Sequence, residues 1–291
     1  MKILVLGATG MIGHAMFNVL HDANTWDVYG TARNSVDKNH FSNAKQKQIV
    51  LIDDIQNHNT QLNLFSKIMP NIVINCIGLT KHYKEANDPL CAIAINATLP
   101  HQISALCKLS DARLVHISTD CVFTGEKGNY VEHDKPDAID LYGKTKEIGE
   151  TTGPSYALTL RTSTIGHELH SKLGLLEWFL SQQGRCNGFR RAIFSGLPNT
   201  VFAEVVRDFV IPNPNLYGLY HVGAEPINKY KLLQLIAMEY KKQIDIIPNN
   251  EVVIDRSLDC DSFMNVTGYK APPWPELLHK LDPNKIRHKN V

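Results

Sequence analysis

Lys2-Ile3-Leu4-Val5-Leu6-Gly7-Ala8-Thr9-Gly10-Met11-Ile12-Gly13 opens the chain, and the reading of this stretch decides the fold. A β-branched and leucine-rich run stops at a glycine. Three glycines then recur at intervals of three, and Met11–His21 continues with helical spacing. A diphosphate docked between a strand and a helix needs a tight turn, close backbone approach and free amides at the helix N-terminus. Glycine supplies the first two because it has no Cβ. Alone, three glycines describe an ordinary strand-to-helix turn. Placed directly after a first strand and before a first helix, they read as a nucleotide-binding turn with Gly7, Thr9, Gly10, Met11, Ile12 and Gly13 around the ligand.

Working outward, short apolar runs recur at Trp26–Ala32, Gln48–Ile52, Ile72–Ile77, Arg113–Ser118 and Tyr156–Arg161, with helical patterns at Thr60–Met69 and Asn87–Leu109. Short strands separated by helices of this length predict βαβ units. The fold class expected is α/β, a Rossmann-type doubly wound parallel sheet with a smaller discontinuous C-terminal domain. Beyond Gly166 the regularity fades. Leu173–Leu180 reads as an amphipathic helix, Gly184–Pro198 as irregular turns, Val201–Val210 as a helix, Leu219–Val222 as a short strand and Ile227–Tyr240 as a longer helix. Pro272, Pro273, Pro275 and Pro283 require the tail's helices to be short. Residues 1–165 are therefore assigned to the nucleotide-binding domain, with a returning segment at 200–222. Residues 166–199 and 223–291 are assigned to a substrate-binding cap.

The chain has 291 residues, 43% hydrophobic and 20% charged, which excludes disordered and low-complexity architectures. Thirty Lys plus Arg against 29 Asp plus Glu leave a net charge of +1, so no nucleic-acid partner is expected. The N-terminus lacks a signal-peptide pattern, and no apolar run approaches the ~20 residues that span a bilayer. Six scattered cysteines read as reduced thiols. The expectation is a cytoplasmic protein without a membrane partner, and a possible homodimer by base rate.

The second strand ends in Tyr29-Gly30-Thr31-Ala32-Arg33, with Thr31 and Arg33 where an acid would select an unphosphorylated adenosine ribose. A guanidinium there can pair with a 2′-phosphate, so NADPH is the expected cofactor, with NADH possible. The alternative is that Arg33 is a solvated surface charge. Asp54 and Ile55 follow the third strand and are placed to meet the adenine edge.

Tyr142-Gly143-Lys144-Thr145-Lys146 puts Tyr142 and Lys146 on one face of a helix. A phenol with a pKa of about 10 is a sluggish proton donor–acceptor, and a nearby ammonium lowers that value. The spacing alone also fits a solvated helix face. Context decides, because Ser118-Thr119 stands at the end of the fifth strand, where ligands bind in open α/β sheets.

These motifs, together with Asn75-Cys76-Ile77-Gly78, Ser118-Thr119-Asp120-Cys121-Val122-Phe123 and Asp137–Lys146 followed by Gly149-Glu150, resemble the extended short-chain dehydrogenase/reductases. The G-x-x-G-x-x-G spacing belongs to the same type. The resemblance is strongest to the dTDP-4-dehydrorhamnose reductase family. Arg161-Thr162-Ser163, Gly218-Leu219-Tyr220-His221 and Asp255-Arg256-Ser257-Leu258 match that family's later landmarks. It implies an NAD(P)H-dependent oxidoreductase that reduces the C4 keto group of a nucleotide-linked 4-keto-6-deoxyhexose for surface polysaccharide. Tyr142 would protonate the alkoxide, Thr119 would hold the carbonyl oxygen, and Lys146 would tune Tyr142 and hold the nicotinamide ribose. Cys76, Ile77, Gly78 and Asn96 would border the cofactor. Asp120, Cys121, Thr164 and Arg256 would contact the sugar-nucleotide, with Arg256 at the diphosphate.

Two positions depart from the family, Cys121 for a tyrosine and Thr164 for a tryptophan. Loss of these two rings changes the pocket's size and stacking surface, and a wider pocket could accept a 2-acetamido sugar or a UDP carrier, which is an alternative reading. Two rival readings are a nucleotide-sugar epimerase or dehydratase, and an NADP-binding regulatory subunit like the relative that serves methionine adenosyltransferase. His167-Glu168-Leu169-His170 lacks metal-ligand spacing, and no metal is expected. Arg190-Arg191 is a lesser diphosphate candidate, and Leu175, Leu176, Trp178 and Phe179 read as core.

Overall fold

A computed structural model describes residues 1–81 and 83–281. Pro283 and the last part of the expected cap, residues 282–291, lie outside the described residues. Seven strands form one sheet: β1 (Lys2–Leu6), β2 (Asp27–Ala32), β3 (Ile49–Leu51), β4 (Ile72–Asn75), β5 (Arg113–Thr119), β6 (Ala157–Thr162) and, much later in the chain, β10 (Gly218–His221). Their order is β10-β6-β5-β4-β1-β2-β3, and every neighbouring pair is parallel. Strand order reverses between β1 and β4, which puts the turn after β1 at the switch point where such sheets bind ligands.

The alternation within β1 shows why both faces are covered. Ile3 and Val5 join one buried cluster with Met16, Phe17 and Phe202, while Leu4 and Leu6 join another with Leu64, Phe65, Leu99 and Ile103. Helices Met11–Asp22 and Asn199–Val205 pack on the first face, and His58–Ile68 and the Leu99–Leu109 stretch on the second.

Helix Pro89–Leu109 departs from the sequence reading. Its 21 residues, at mean hydropathy 1.3 over their most apolar window, are long and apolar enough to cross a membrane. Polar residues such as Asn96, His101 and Ser104 interrupt the run and hide this in the sequence. Ala92, Leu99, Ile103 and Cys107 are buried along it, as in a core helix. A π-helical turn at Ile93–Thr98 bulges the helix at Asn96, and such bulges often sit at functional sites.

After β6 come two short strands, β7 (Thr164–Ile165) and β9 (Leu197–Pro198), which pair with each other. A second sheet has the order β11-β8-β12, with β8 at Arg185–Phe194, β11 at Ile227–Asn228 and β12 at Asp245–Asp255. The expectation of irregular turns at 184–198 is thus wrong, since most of that stretch is a ten-residue strand. Arg185, Arg190 and Arg191 are exposed along it while Cys186, Gly188, Ala192 and Phe194 are buried. Surface arginines masked the alternation. β12 has no fully buried position and pairs with β8 alone, so its own pattern announces no strand.

Candidate active site

Gly7 takes φ +77°, a conformation that favours glycine, and its amide donates to Thr31 Oγ1 at 2.9 Å. Ala8 donates to the Thr31 carbonyl at 3.0 Å. Thr31 is buried and shapes the turn from below, so it positions the loop. Gly10 caps helix Met11–Asp22 without a side-chain bond, and the first turn holds no acid. Its leading amides are therefore open to an anion. A Cβ on Gly13 would stand 2.0 Å from the Gly7 carbonyl oxygen, so only glycine lets the helix start this close to the turn. Thr9, Met11 and Ile12 line the rim half-buried, and Arg33 and Asp54 are exposed beyond the ends of β2 and β3, with Ile55 half-buried beside them. This cradle fits a dinucleotide diphosphate.

On the far side of β1, Ile77 donates its amide to Asn75 Oδ1 at 3.1 Å, which turns the chain at Cys76. Burial pushes the Cys76 thiol up to about 12. A Cβ on Gly78 would lie 3.7 Å from Asn96 Oδ1 and 4.0 Å from Lys146 Nζ, so these three residues converge. Asn96 clamps the loop by pairing both amide groups with Leu79, at 2.8 and 2.9 Å.

Helix Leu141–Ile148 begins on Asp140, whose side chain accepts from the Gly143 amide at 2.7 Å. Gly143 lets this helix approach β5, because a Cβ there would stand 2.3 Å from the Cys121 carbonyl oxygen. The approach carries Tyr142 to Thr119. Burial raises the Tyr142 phenol far above its ordinary range. Cys121, Asp120 and Asp140 add to that rise, while a hydrogen bond with Thr119 opposes it. Lys146 Nζ donates to the Ile117 carbonyl at 2.8 Å, and burial lowers it to about 8 against the opposing pull of Glu150 and Cys76. The Lys146 ammonium also faces the Gly78–Asn96 floor.

Thr119 Oγ1 donates to Asp120 Oδ1 at 3.1 Å and accepts from the Cys121 amide at 3.1 Å. Ser118 turns the other way, to Glu150 at 2.7 Å. Arg256 donates Nε to the Phe123 carbonyl at 2.7 Å and approaches Cys121 Sγ at 3.7 Å. Burial raises the Asp120 carboxyl, opposed first by Arg256 and also by Lys81. Lys229 is lowered by burial and raised most by Asp120. Lys81 and Lys229 therefore act with Arg256 on the charge of Asp120. The sequence reading missed both. Lys81 lies just beyond the carboxyl end of β4, a position that could have flagged it. Lys229 opens helix Lys229–Glu239 and carries no local signal.

Thr164 sits half-buried in β7, opposite Leu197. Arg190 stacks over Tyr230 at 5.2 Å. His167 bonds Glu177 at 2.5 Å and Tyr240 at 2.8 Å. Leu176 and Phe179 are buried core, with Leu175 and Trp178 packed against it.

A parallel sheet with a glycine turn at its switch point, and a threonine–tyrosine–lysine set beyond the next strand but one, has the Rossmann-like fold of the extended short-chain dehydrogenase/reductases. The chain belongs to the RmlD substrate binding domain family, whose profile matches residues 1–172. It is 28% identical over 151 residues to the rat methionine adenosyltransferase 2 subunit beta, covering 51% of this chain and 41% of that protein. It is 28% identical over 148 residues to a dTDP-4-dehydrorhamnose reductase of Streptomyces griseus, covering 50% of this chain and 43% of that protein. The matches thus span about two fifths of these relatives. Among solved structures, the dTDP-4-dehydrorhamnose reductase of Bacillus anthracis in complex with NADP superimposes with a TM-score of 0.77 at 21% identity, covering 96% of this chain and 98% of that one.

Proposed function

We propose that this protein is an NADPH-dependent reductase of the C4 keto group of a nucleotide-linked 4-keto-6-deoxyhexose. The juxtaposition of Thr119 and Tyr142 beside the Gly78–Asn96–Lys146 floor carries this reading, and the reductase relatives support it. The cofactor would supply hydride to C4. The Tyr142 hydroxyl donates the proton that the new alkoxide takes up, and Thr119 donates a hydrogen bond to the same oxygen. Lys146 would meet the nicotinamide ribose and act on Tyr142 through the ribose hydroxyls. Gly7, Thr9, Gly10, Met11, Ile12 and Gly13 would hold the diphosphate, with Thr31 fixing their turn. We further propose residues 1–165 and 200–222 as the cofactor-binding part and the remainder as the cap. β10 within the main sheet, and Lys229 and Arg256 reaching Asp120 from outside it, support that division.

The test is consumption of NADPH with dTDP- and UDP-linked 4-keto-6-deoxy sugars, including 2-acetamido forms. An epimerase would convert its substrate without net consumption. The similarity to a methionine adenosyltransferase subunit favours a second reading, a cofactor-binding subunit. Cofactor binding with no turnover on any of these sugars would move the assignment there.

Two residues give sharper outcomes. Arg33→Ala is expected to raise the KM for NADPH by about 10- to 100-fold, the worth of one charge-assisted phosphate bond, with the NADH KM unchanged. Equal effects on both cofactors would remove Arg33 from the 2′-phosphate. Lys229→Met is expected to raise the KM for the sugar-nucleotide on the order of tenfold, equivalent to ~1.4 kcal/mol, with the NADPH KM unchanged. An unaltered sugar KM would return Lys229 to a structural role.

A further inference from the structure

Lys146 and Glu150 lie four residues apart. Their helix ends at Ile148, but Gly149 keeps a right-handed conformation (φ −77°, ψ −4°), so Glu150 continues near the Lys146 face. Only glycine fits there, because a Cβ would stand 1.9 Å from the Asn96 carbonyl oxygen. The two side chains then meet consecutive residues of β5. Lys146 Nζ donates to the Ile117 carbonyl at 2.8 Å, and Ser118 Oγ donates to Glu150 Oε1 at 2.7 Å. Arg161, opposite Ser118 in the register of β5 and β6, closes the group. Its Nε and Nη2 grip Glu150 Oε1 and Oε2 at 2.8 and 2.7 Å, and its guanidinium lies 5.1 Å from the Phe123 ring centroid.

Lys146 and Arg161 are 4% and 2% exposed, and the Glu150 side chain 7%, so these charges act on one another with little screening by water. The thiol and the two imidazoles nearest them are neutral near neutrality. Burial holds the Cys76 thiol on the β4 side at about 12, the His116 imidazole of β5 well below its ordinary value, and the His221 imidazole of β10 at about 4. Glu147, half-buried on the same helix, is raised by burial and by Glu150. One carboxylate thus grips one buried cation, Arg161, and acts through its charge on a second, Lys146. A buried ion pair is weak ground for stability alone, since apolar packing often does as well.

We propose that Glu150 is a positioning residue of the active site, keeping Lys146 charged and aimed at the cofactor floor while Arg161 sets how much of the carboxylate's charge Lys146 feels. The proposal rests on the reductase reading for its consequence in turnover, but the charge state of Lys146 can be followed without turnover.

The direct readout is the titration of Lys146 followed by NMR of its 13Cε resonance, beside the alkaline limb of kcat/KM with NADPH. Glu150→Gln removes the negative charge, so both transitions are expected to move to lower pH by on the order of one unit, tenfold in proton affinity. Arg161→Met removes the cation that offsets the carboxylate, so both move to higher pH. Glu150→Asp keeps the charge and is expected to restore most of the wild-type position, and Ser118→Ala keeps both charges and leaves it in place. A mere strut would lower activity at all pH values with unmoved transitions, and shifts of the same sign in both charge variants would equally overturn the proposal. If one charge variant fails to fold, the sign in the other, with the two charge-keeping variants as references, decides the matter. Shifted NMR titrations without turnover in the wild type would uphold the role of Glu150 and sink the reductase reading.

Discussion

Replacing Tyr142 by phenylalanine is expected to cut the turnover of the nucleotide-sugar substrate by about 10²–10⁴ while leaving cofactor affinity and thermal stability close to wild type. The phenol is the group beside Thr119 with a proton to give. Its burial beside Asp120 and Cys121 holds that proton well past neutrality, which suits a donor in the direction of reduction. The alkaline loss of activity should therefore follow Lys146, lowered to about 8, before it follows the phenol. The sign follows from the charge. As pH rises through that value Lys146 loses its proton, the ribose hydroxyls lose their cationic partner, and the route from Lys146 to Tyr142 fails. Steady-state rates across pH for wild type and Tyr142→Phe check both statements. Full activity in the phenylalanine variant would remove the proton-transfer role and support the cofactor-binding subunit.

The sheet was legible because burial on both faces writes several of its strands as short, largely apolar runs. Lys2–Leu6 and Ile72–Asn75 are such runs, and the structure begins and ends them within a residue or two of the expected bounds. The glycine turn was legible for a different reason, since its chemistry is local to seven consecutive residues. β8 and β12 were not legible, because a sheet with an exposed face mixes Arg185, Arg190, Arg191 and Glu251 among its few buried positions. The second cluster of charges escaped for the same physical reason that cleft residues usually do. Lys81, Lys229 and Arg256 come from three distant parts of the chain, and their charges act on Asp120 only once the fold has formed. Helical spacing puts Tyr142 and Lys146 on one face, and the structure gives each a partner of its own. Each takes a partner from β5, Thr119 for the phenol and Ile117 for the ammonium. Spacing on a helix fixes a shared face, not the direction in which two long side chains extend along it.

Gly13→Ala is expected to destabilise the fold by about 1–3 kcal/mol and to abolish measurable cofactor binding, whereas Gly10→Ala should weaken binding with little change in Tm. The contrast comes from what each new methyl group would meet. At Gly13 it would stand 2.0 Å from the Gly7 carbonyl oxygen, 2.7 Å from the Gly7 carbonyl carbon and 3.2 Å from the Ala8 Cα. All three are backbone atoms, so no flexible side chain can swing aside. The turn cannot easily retreat, because the Gly7 carbonyl accepts from the Gly10 amide at 3.0 Å and the Gly7 amide is tied to Thr31. Helix and turn would have to part, and the open amides at the helix start would lose their common focus. At Gly10 the methyl would meet only the Gly7 carbonyl oxygen, at 3.5 Å, an ordinary contact. Gly10 is exposed, so its methyl would project into the space where a diphosphate must approach the backbone. Thermal melts and fluorescence titrations with NADPH on the two variants separate close packing from close approach. A Gly13→Ala protein with wild-type Tm and wild-type affinity would show that the turn has slack, and the diphosphate cradle assigned to residues 7–13 would have to be withdrawn.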